Sequence, residues 1–311
     1  MTKKNFYIDF NKSLKPTLII YGAVFLVGII LACILGVNLD INFKGGTRIA
    51  YSFTGDISAA DAETAISEAI SKKATVSFNT DISGNSKQLI VTLTGNSSLS
   101  SEDQTKITES LTKKYTDNSI KLYDSTSVSP TIAGTFFAKS LVAVMLAGII
   151  VVIYVGIRFR KIGGVSAALF AWLALIIDCI SAFFGCVALG LPLDSNFIAV
   201  ILTLLGYSLN DTIVIYDRIR ENKRLYPEKT LDVLVNESVN SVKIRNFFTT
   251  FTTILAIFTI IVVSEIYGLT TLRSFAIPMV FGIVSGCISS LFVSGPLWVK
   301  WKSSRTVKKT K

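Results

Sequence analysis

The sequence predicts a polytopic α-helical membrane protein with six transmembrane helices and one small α+β domain outside the bilayer. Three observations predict it. Half of the 311 residues are hydrophobic and the mean hydropathy is +0.56, too apolar for an ordinary soluble domain. Six stretches reach the roughly 20 apolar residues that a helix needs to cross a hydrocarbon core of about 30 Å: 17–37, 138–157, 165–189, 196–216, 247–265 and 275–299. Between the first and second of them lies one long polar interruption, 38–135.

The first stretch is too long for a signal peptide and lacks a small-x-small cleavage site, so it reads as a retained span. An even number of spans places both termini on one side. The formal net charge of +10 shows which side. Basic residues cluster in KKNFYIDFNKSLK within the N-terminal segment 1–16, in RFRK at 158–161, in DRIRENKR at 217–224, and in the tail 300–311. Each cluster flanks an apolar run, the pattern of positive-inside anchoring against the lipid bilayer, so both termini and a basic loop near 217–245 are expected in the cytoplasm. That placement argues against a nucleic-acid partner. External loops are then expected near 191–195 and 264–272. The five spans that follow the polar segment make up a membrane region over 136–299.

Within 38–135, RIAYSF (48–53) alternates as a strand does. SAADAETAISEAISKK (58–73) reads as a helix with Ser58 as N-cap and Ala62, Ala65, Ile66, Ala69 and Ile70 on one face. ATVSFNT (74–80) and KQLIVTLTG (87–95) read as strands about a DISGNS turn at 81–86. SLSSEDQTKITESLTKKY (98–115) is a second serine-capped helix and SIKLYDSTSV (119–128) a last strand. The order βαββαβ is that of a ferredoxin-like fold. Nothing in this domain resembles a catalytic set, and fold alone does not assign function.

The chain has no histidine, so proton chemistry must use other side chains. Its cysteines, Cys33, Cys179, Cys186 and Cys287, lie in apolar runs without C-x-x-C spacing, and imply neither a disulfide framework nor a metal site. FKGGTR (43–48) lacks the spacing of a phosphate-binding loop; Gly45 and Gly46 read as a tight turn coupling the first span to the domain. Gly282 and Gly286, with Ser285 and Ser289, form a small-residue face for close helix packing.

Ionisable groups within spans are the strongest functional signal, since insertion scales charge about 2.5–3.5 kcal/mol for one at a helix centre. Asp178 lies in the third span, Asp211 in the fourth, and Arg245 where the fifth begins. The plainer reading of each is helix glue, or snorkelling for Arg245. Counting 1.5 Å per residue, Asp211 falls in the cytoplasmic half, which Arg245 enters from the same side. A nearby arginine favours an ionised Asp211, and its withdrawal favours protonation, so a change in their separation would load and release a proton. Asp178 falls toward the outer half and needs water or another chain to connect with Asp211. Ser208 and Asn210 add hydrogen-bonding capacity beside Asp211, and Arg218 follows in the same stretch.

That stretch, GYSLNDTIVIYDRIREN (206–222), together with INFKGGT (41–47), SVSPTIAGTFFAKS (127–140), IRFR (157–160) and NESVNSVKIRNFFTT (236–250), resembles the SecD/SecF family of the bacterial Sec protein-export machinery, within the resistance–nodulation–division superfamily. The resemblance covers nearly the whole chain. It implies a plasma-membrane auxiliary subunit, not an enzyme, that couples the proton gradient to late steps of export without a cofactor or metal. Sodium is the alternative coupling ion, since carboxylate and hydroxyl oxygens suit hard cations. Implied partners are a SecD-like subunit, which would complete a pseudo-symmetric twelve-helix unit, the SecYEG channel with SecA, YajC, and the emerging unfolded polypeptide. The family's proton-pathway acid falls on Asp211, its fifth-span arginine on Arg245 and its third-span aspartate on Asp178. The chain departs from the family at Ile177, where histidine is common, at Ser129 and Ala133, where glycines are expected, and at Ile244 and Asn246 on either side of Arg245. An efflux-type transporter of the same superfamily and a passive scaffold of the translocon are the competing functions.

Overall fold

A computed structural model describes residues 7–72, 74–80, 87–93 and 99–309. It contains six helices long and apolar enough to cross a membrane: α1 (Phe10–Leu35), α5 (Pro130–Arg158), α6 (Gly164–Ala188), α7 (Ser195–Leu225), α8 (Leu231–Ile266), and a sixth made of α9 (Thr270–Ser289), a π turn over Ser290–Ser294, and α10 (Gly295–Lys309). A one-turn helix, α2 (Ile41–Lys44), follows α1.

The polar segment folds as β1 (Gly46–Phe53), α3 (Ala59–Ile70), β2 (Ala74–Thr80), β3 (Lys87–Leu93), α4 (Ser101–Lys114) and β4 (Lys121–Val128). The strands form one antiparallel sheet in the order β2-β3-β1-β4. Period-2 alternation turns Ile49, Tyr51 and Phe53 of β1 and Leu89, Val91 and Leu93 of β3 to one face, where Ala62 and Ile66 of α3 and Ile107 and Leu111 of α4 cover them. Ser58 caps α3 as expected, accepting from the Asp61 amide, and Ser100 caps α4 in the same way. The expected DISGNS turn at 81–86 lies outside the described residues, as do positions 94–98.

The glycine pair joins this unit to the spans. Gly45 and Gly46 have φ of 79° and 135°, a region that favours glycine. A Cβ on Gly45 would lie 2.7 Å from Pro130 Cα, and one on Gly46 2.3 Å from the Leu93 carbonyl oxygen. The turn therefore packs against the start of the second span as well as following the first. Phe43 of α2 meets the rings of Phe136 and Phe137 on α5.

Several boundaries differ from the sequence expectation. The second span begins at Pro130, a favoured first helical residue, so the domain ends before the expected 135. The segment 217–245 is no open basic loop: α7 continues to Leu225 and α8 starts at Leu231. Its charges hide an amphipathic pattern, with Leu234 buried, Val235 and Val239 buried in one cluster with Ile215, Ile219 and Trp298, and Asn222 donating to Ser238 at 2.8 Å. The N-terminal segment is helical from Phe10, capped by Asp9, and the basic tail is helical to Lys309.

Small residues let the helices approach, as membrane packing requires. A Cβ on Gly28 of α1 would overlap the Phe184 ring on α6, and one on Gly282 of α9 would lie 2.2 Å from Leu204 Cδ1 on α7. Gly282, on the small-residue face of the sixth span, thus packs against α7 of the same chain.

Candidate functional site

Helices α6, α7 and α9 bring a carboxylate and two hydroxyls together at the centre of the bundle. Asp178 of α6 is fully buried. It accepts from Ser208 Oγ on α7 at 2.6 Å and from Ser285 Oγ on α9 at 2.8 Å. Tyr21 of α1 extends the group, donating to the Ser285 carbonyl at 3.0 Å and lying 3.2 Å from its hydroxyl. Three helices therefore meet at one carboxyl group, and α1 joins them through Ser285. Gly286 makes room for it, since a Cβ there would lie 3.1 Å from Ser208 Oγ and 3.4 Å from Asp178 Oδ2. No cation pairs with Asp178 among the described residues, so its two serine donors carry the stabilisation that burial demands.

Asp211 lies three residues beyond Ser208 on the same buried stripe of α7. It is 3% exposed, yet its Oδ2 has no hydrogen-bond partner among the described residues. Thr212 Oγ1 and Asn246 Nδ2 of α8 are likewise buried without a partner among the described residues. Buried polar atoms are paired in the great majority of cases, so this group marks a place where the fold does not satisfy its own polar atoms. Thr250, one turn beyond Asn246, is also buried.

Arg245 precedes Asn246 but turns the other way. It is exposed and lines a cleft of about 1150 Å³ at the basic end of the bundle, with Val214 and Asp217 of α7. No salt bridge joins it to Asp211 among the described residues. Asn210 is exposed on the opposite side of α7 from Asp211's stripe. Ser208 serves Asp178 rather than Asp211. Arg218 bonds Glu221 at 2.6 Å and Ser241 at 3.2 Å, tying α7 to α8. Gly45 and Gly46 lie at the domain junction, away from this cluster.

The structure therefore brings Asp178 and Asp211 to adjacent turns of one interface within a single chain, where the sequence suggested separate depths. Sequence reasoning missed Tyr21, Thr212, Asn246 and Thr250. Asn246 and Thr250 stand four apart in an apolar helix, a spacing that places both on one face; that pattern was the available signal. Tyr21 carried none, because only the fold brings α1 against α9.

Residues 107–304 match the profile of a family described as protein export membrane protein SecD/SecF, C-terminal. The chain is 30% identical to the protein translocase subunit SecF of Alicyclobacillus acidocaldarius over 93% of its own length and 90% of that chain. Against the SecF of Rhodothermus marinus identity is 28%, over 96% and 95%. Against the protein translocase subunit SecDF of Bacillus subtilis it is 30%, over 97% of this chain but 39% of that one. The crystal structure of SecDF from Thermus thermophilus, described as a translocon-associated membrane protein, superposes with a TM-score of 0.82 at 26% identity, over 97% of this chain and 40% of that one. The chain thus spans about two-fifths of the SecDF chains it matches.

Proposed function

The chain belongs to the SecD/SecF family of protein export membrane proteins, and on that premise we propose that it couples the proton gradient to late steps of protein export as the SecF-type subunit of the Sec translocase. The observation that carries the coupling step is the buried, unpartnered carboxyl oxygen of Asp211 beside the cationic cleft that holds Arg245. A carboxylate left unpaired in the bundle is costly. It becomes affordable if a proton or a cation visits it during a working cycle. Movement of Arg245 toward and away from Asp211 would alternate the ionised and protonated forms. Each charge crossing the membrane supplies about 2.3 kcal/mol per 100 mV. Protons are the favoured ion and sodium the alternative.

In this reading the basic ends of the spans face the cytoplasm, and the βαββαβ unit is a ferredoxin-like domain on the outer face, where it would meet the emerging polypeptide. The chain acts without a cofactor and catalyses no covalent step. The SecDF chains it resembles support a SecD-like partner supplying the remaining helices; SecYEG, SecA and YajC would complete the assembly. Precursor release at the outer face of membrane vesicles, compared between wild type and Asp211→Asn at equal abundance, tests the proposal. Loss of gradient-dependent release is expected; undiminished release would favour a passive scaffold.

A further inference from the structure

The cleft at the basic end holds more charge than a proton relay uses. Its lining includes six cations, Lys161, Arg218, Arg220, Lys223, Arg224 and Arg245, and two carboxylates, Asp217 and Glu221. Both carboxylates are already engaged. Asp217 pairs with Arg158 at 3.1 Å and Arg220 at 2.8 Å, and Glu221 pairs with Arg218 at 2.6 Å. Lys161, Lys223, Arg224 and Arg245 form no ion pair among the described residues. These four come from three separate segments: the turn after α5, the end of α7, and α8. Cations gathered this way repel one another and draw in anions.

The surroundings narrow the anion. Ile162, Val214 and Val242 add apolar surface to the same cleft. Close in the chain to lining residues, Ile157 is 69% exposed, Ile244 58% and Phe248 59%, the exposure expected of side chains that face lipid. A ligand held here meets cations and hydrocarbon together, at the level where a span leaves the membrane. A soluble phosphate uses only the cations, and an acidic protein segment has no use for the apolar rim. We infer that the cleft formed by the α5–α6 turn, the end of α7 and the start of α8 binds the headgroup of an anionic phospholipid, its phosphate among Lys161, Lys223 and Arg224. Basic pockets between spans on the cytoplasmic side bind such headgroups, so the inference rests on the orientation proposed above. A headgroup here would also lie beside Arg245, linking lipid composition to the residue whose movement is proposed to act on Asp211.

The test reads lipid retention and not export, so its failure is distinguishable from failure of the proposed function. The full-length chain is purified from nanodiscs of phosphatidylcholine containing a minor fraction of phosphatidylglycerol, and retained lipid is counted by native mass spectrometry. Selective retention of phosphatidylglycerol is expected. The double variant K223Q/R224Q should lower it about tenfold or more. The variant K12Q/K15Q removes the same charge at the start of α1, away from the cleft, and should leave retention unchanged. If K223Q/R224Q fails to fold, Lys161→Gln weakens the same site from a different segment. Equal retention of both lipids, equal loss in the two double variants, or displacement of the lipid by inorganic phosphate or by a soluble polyglutamate peptide would each overturn the assignment.

Discussion

Replacing Gly282 by alanine tests whether α7 and α9 are packed as tightly as the Asp178 cluster requires. The new Cβ would lie 2.2 Å from Leu204 Cδ1, 2.6 Å from its Cδ2 and 2.9 Å from its Cγ, where carbon atoms normally stand about 3.5–4.0 Å apart. Leu204 cannot simply swing aside, because it is fully buried among Val200, Ile201, Ala276 and Ile283. Either α9 moves off α7 by about 1 Å or the leucine leaves its rotamer, and overpacking of this kind costs about 1–3 kcal/mol. Leu204→Ala alone removes the obstructing atoms and leaves a cavity, at about 2–5 kcal/mol. In the double variant the alanine methyl enters that space. The two changes should therefore compensate, with the double variant more stable than the sum of the singles by about 1–3 kcal/mol. Unfolding midpoints of the four proteins in mild detergent measure this. Separation of α9 would also lengthen the Ser285–Asp178 bond, one turn away, so Gly282→Ala should lower export activity as well. Wild-type stability in Gly282→Ala, or strictly additive singles, would refute the packing described.

Ser208→Ala and Ser285→Ala each remove one donor from Asp178 and should each cost about 0.6–1.7 kcal/mol; the double variant should lose more than their sum, because the carboxyl group then loses both of these donors, as the same midpoints will show. A fragment spanning 40–130 should fold alone and give dispersed amide resonances, since Ile49, Tyr51, Ile66, Leu89, Val91, Ile107 and Leu111 form a core of their own. In that fragment Lys87 Nζ donates to Asp56 at 2.6 Å and holds its carboxyl group below the ordinary carboxylate range. A depressed folded value means that the contribution to stability is present above the unfolded carboxylate range and is lost as pH falls through the lowered value. Asp56 is solvent-exposed, so the effect should be small and screened by salt; an NMR titration of its carboxyl signal, with Lys87→Gln as control, reads it directly.

The spans, the βαββαβ order and the intramembrane acids were legible because each follows from local pattern. Runs of apolar residues announce a helix in lipid, period-2 alternation in β1 and β3 announces a half-buried sheet, and a carboxylate within a span stands out by its cost. The helical extensions through 217–225 and 231–246 were hidden because hydropathy averages away a face such as Leu234–Val235–Val239, which is apolar only at helical spacing. The partners of each acid were hidden for a different reason. Ser208 adjoins Asp211 in sequence, yet it bonds Asp178, because the rotation of α7 is set by Gly282 and Gly286 on a helix some 75 residues later. Asn210 is next to Asp211 in the chain and faces away from it. Neighbours in a helix point in different directions, and which of them meets an acid is decided by packing rather than by order.

The most direct test of the coupling role is the sensitivity of late-stage export to collapse of the gradient. Vesicles carrying wild type, Asp211→Asn or Asp178→Asn at equal abundance are given a partly translocated precursor, with and without a protonophore, and its release at the outer face is timed. Coupling at Asp211 predicts that the protonophore slows wild type, while Asp211→Asn releases the precursor at the collapsed-gradient rate under both conditions. If Asp211→Asn responds to the protonophore as wild type does, the buried unpaired carboxyl group is not the coupling site.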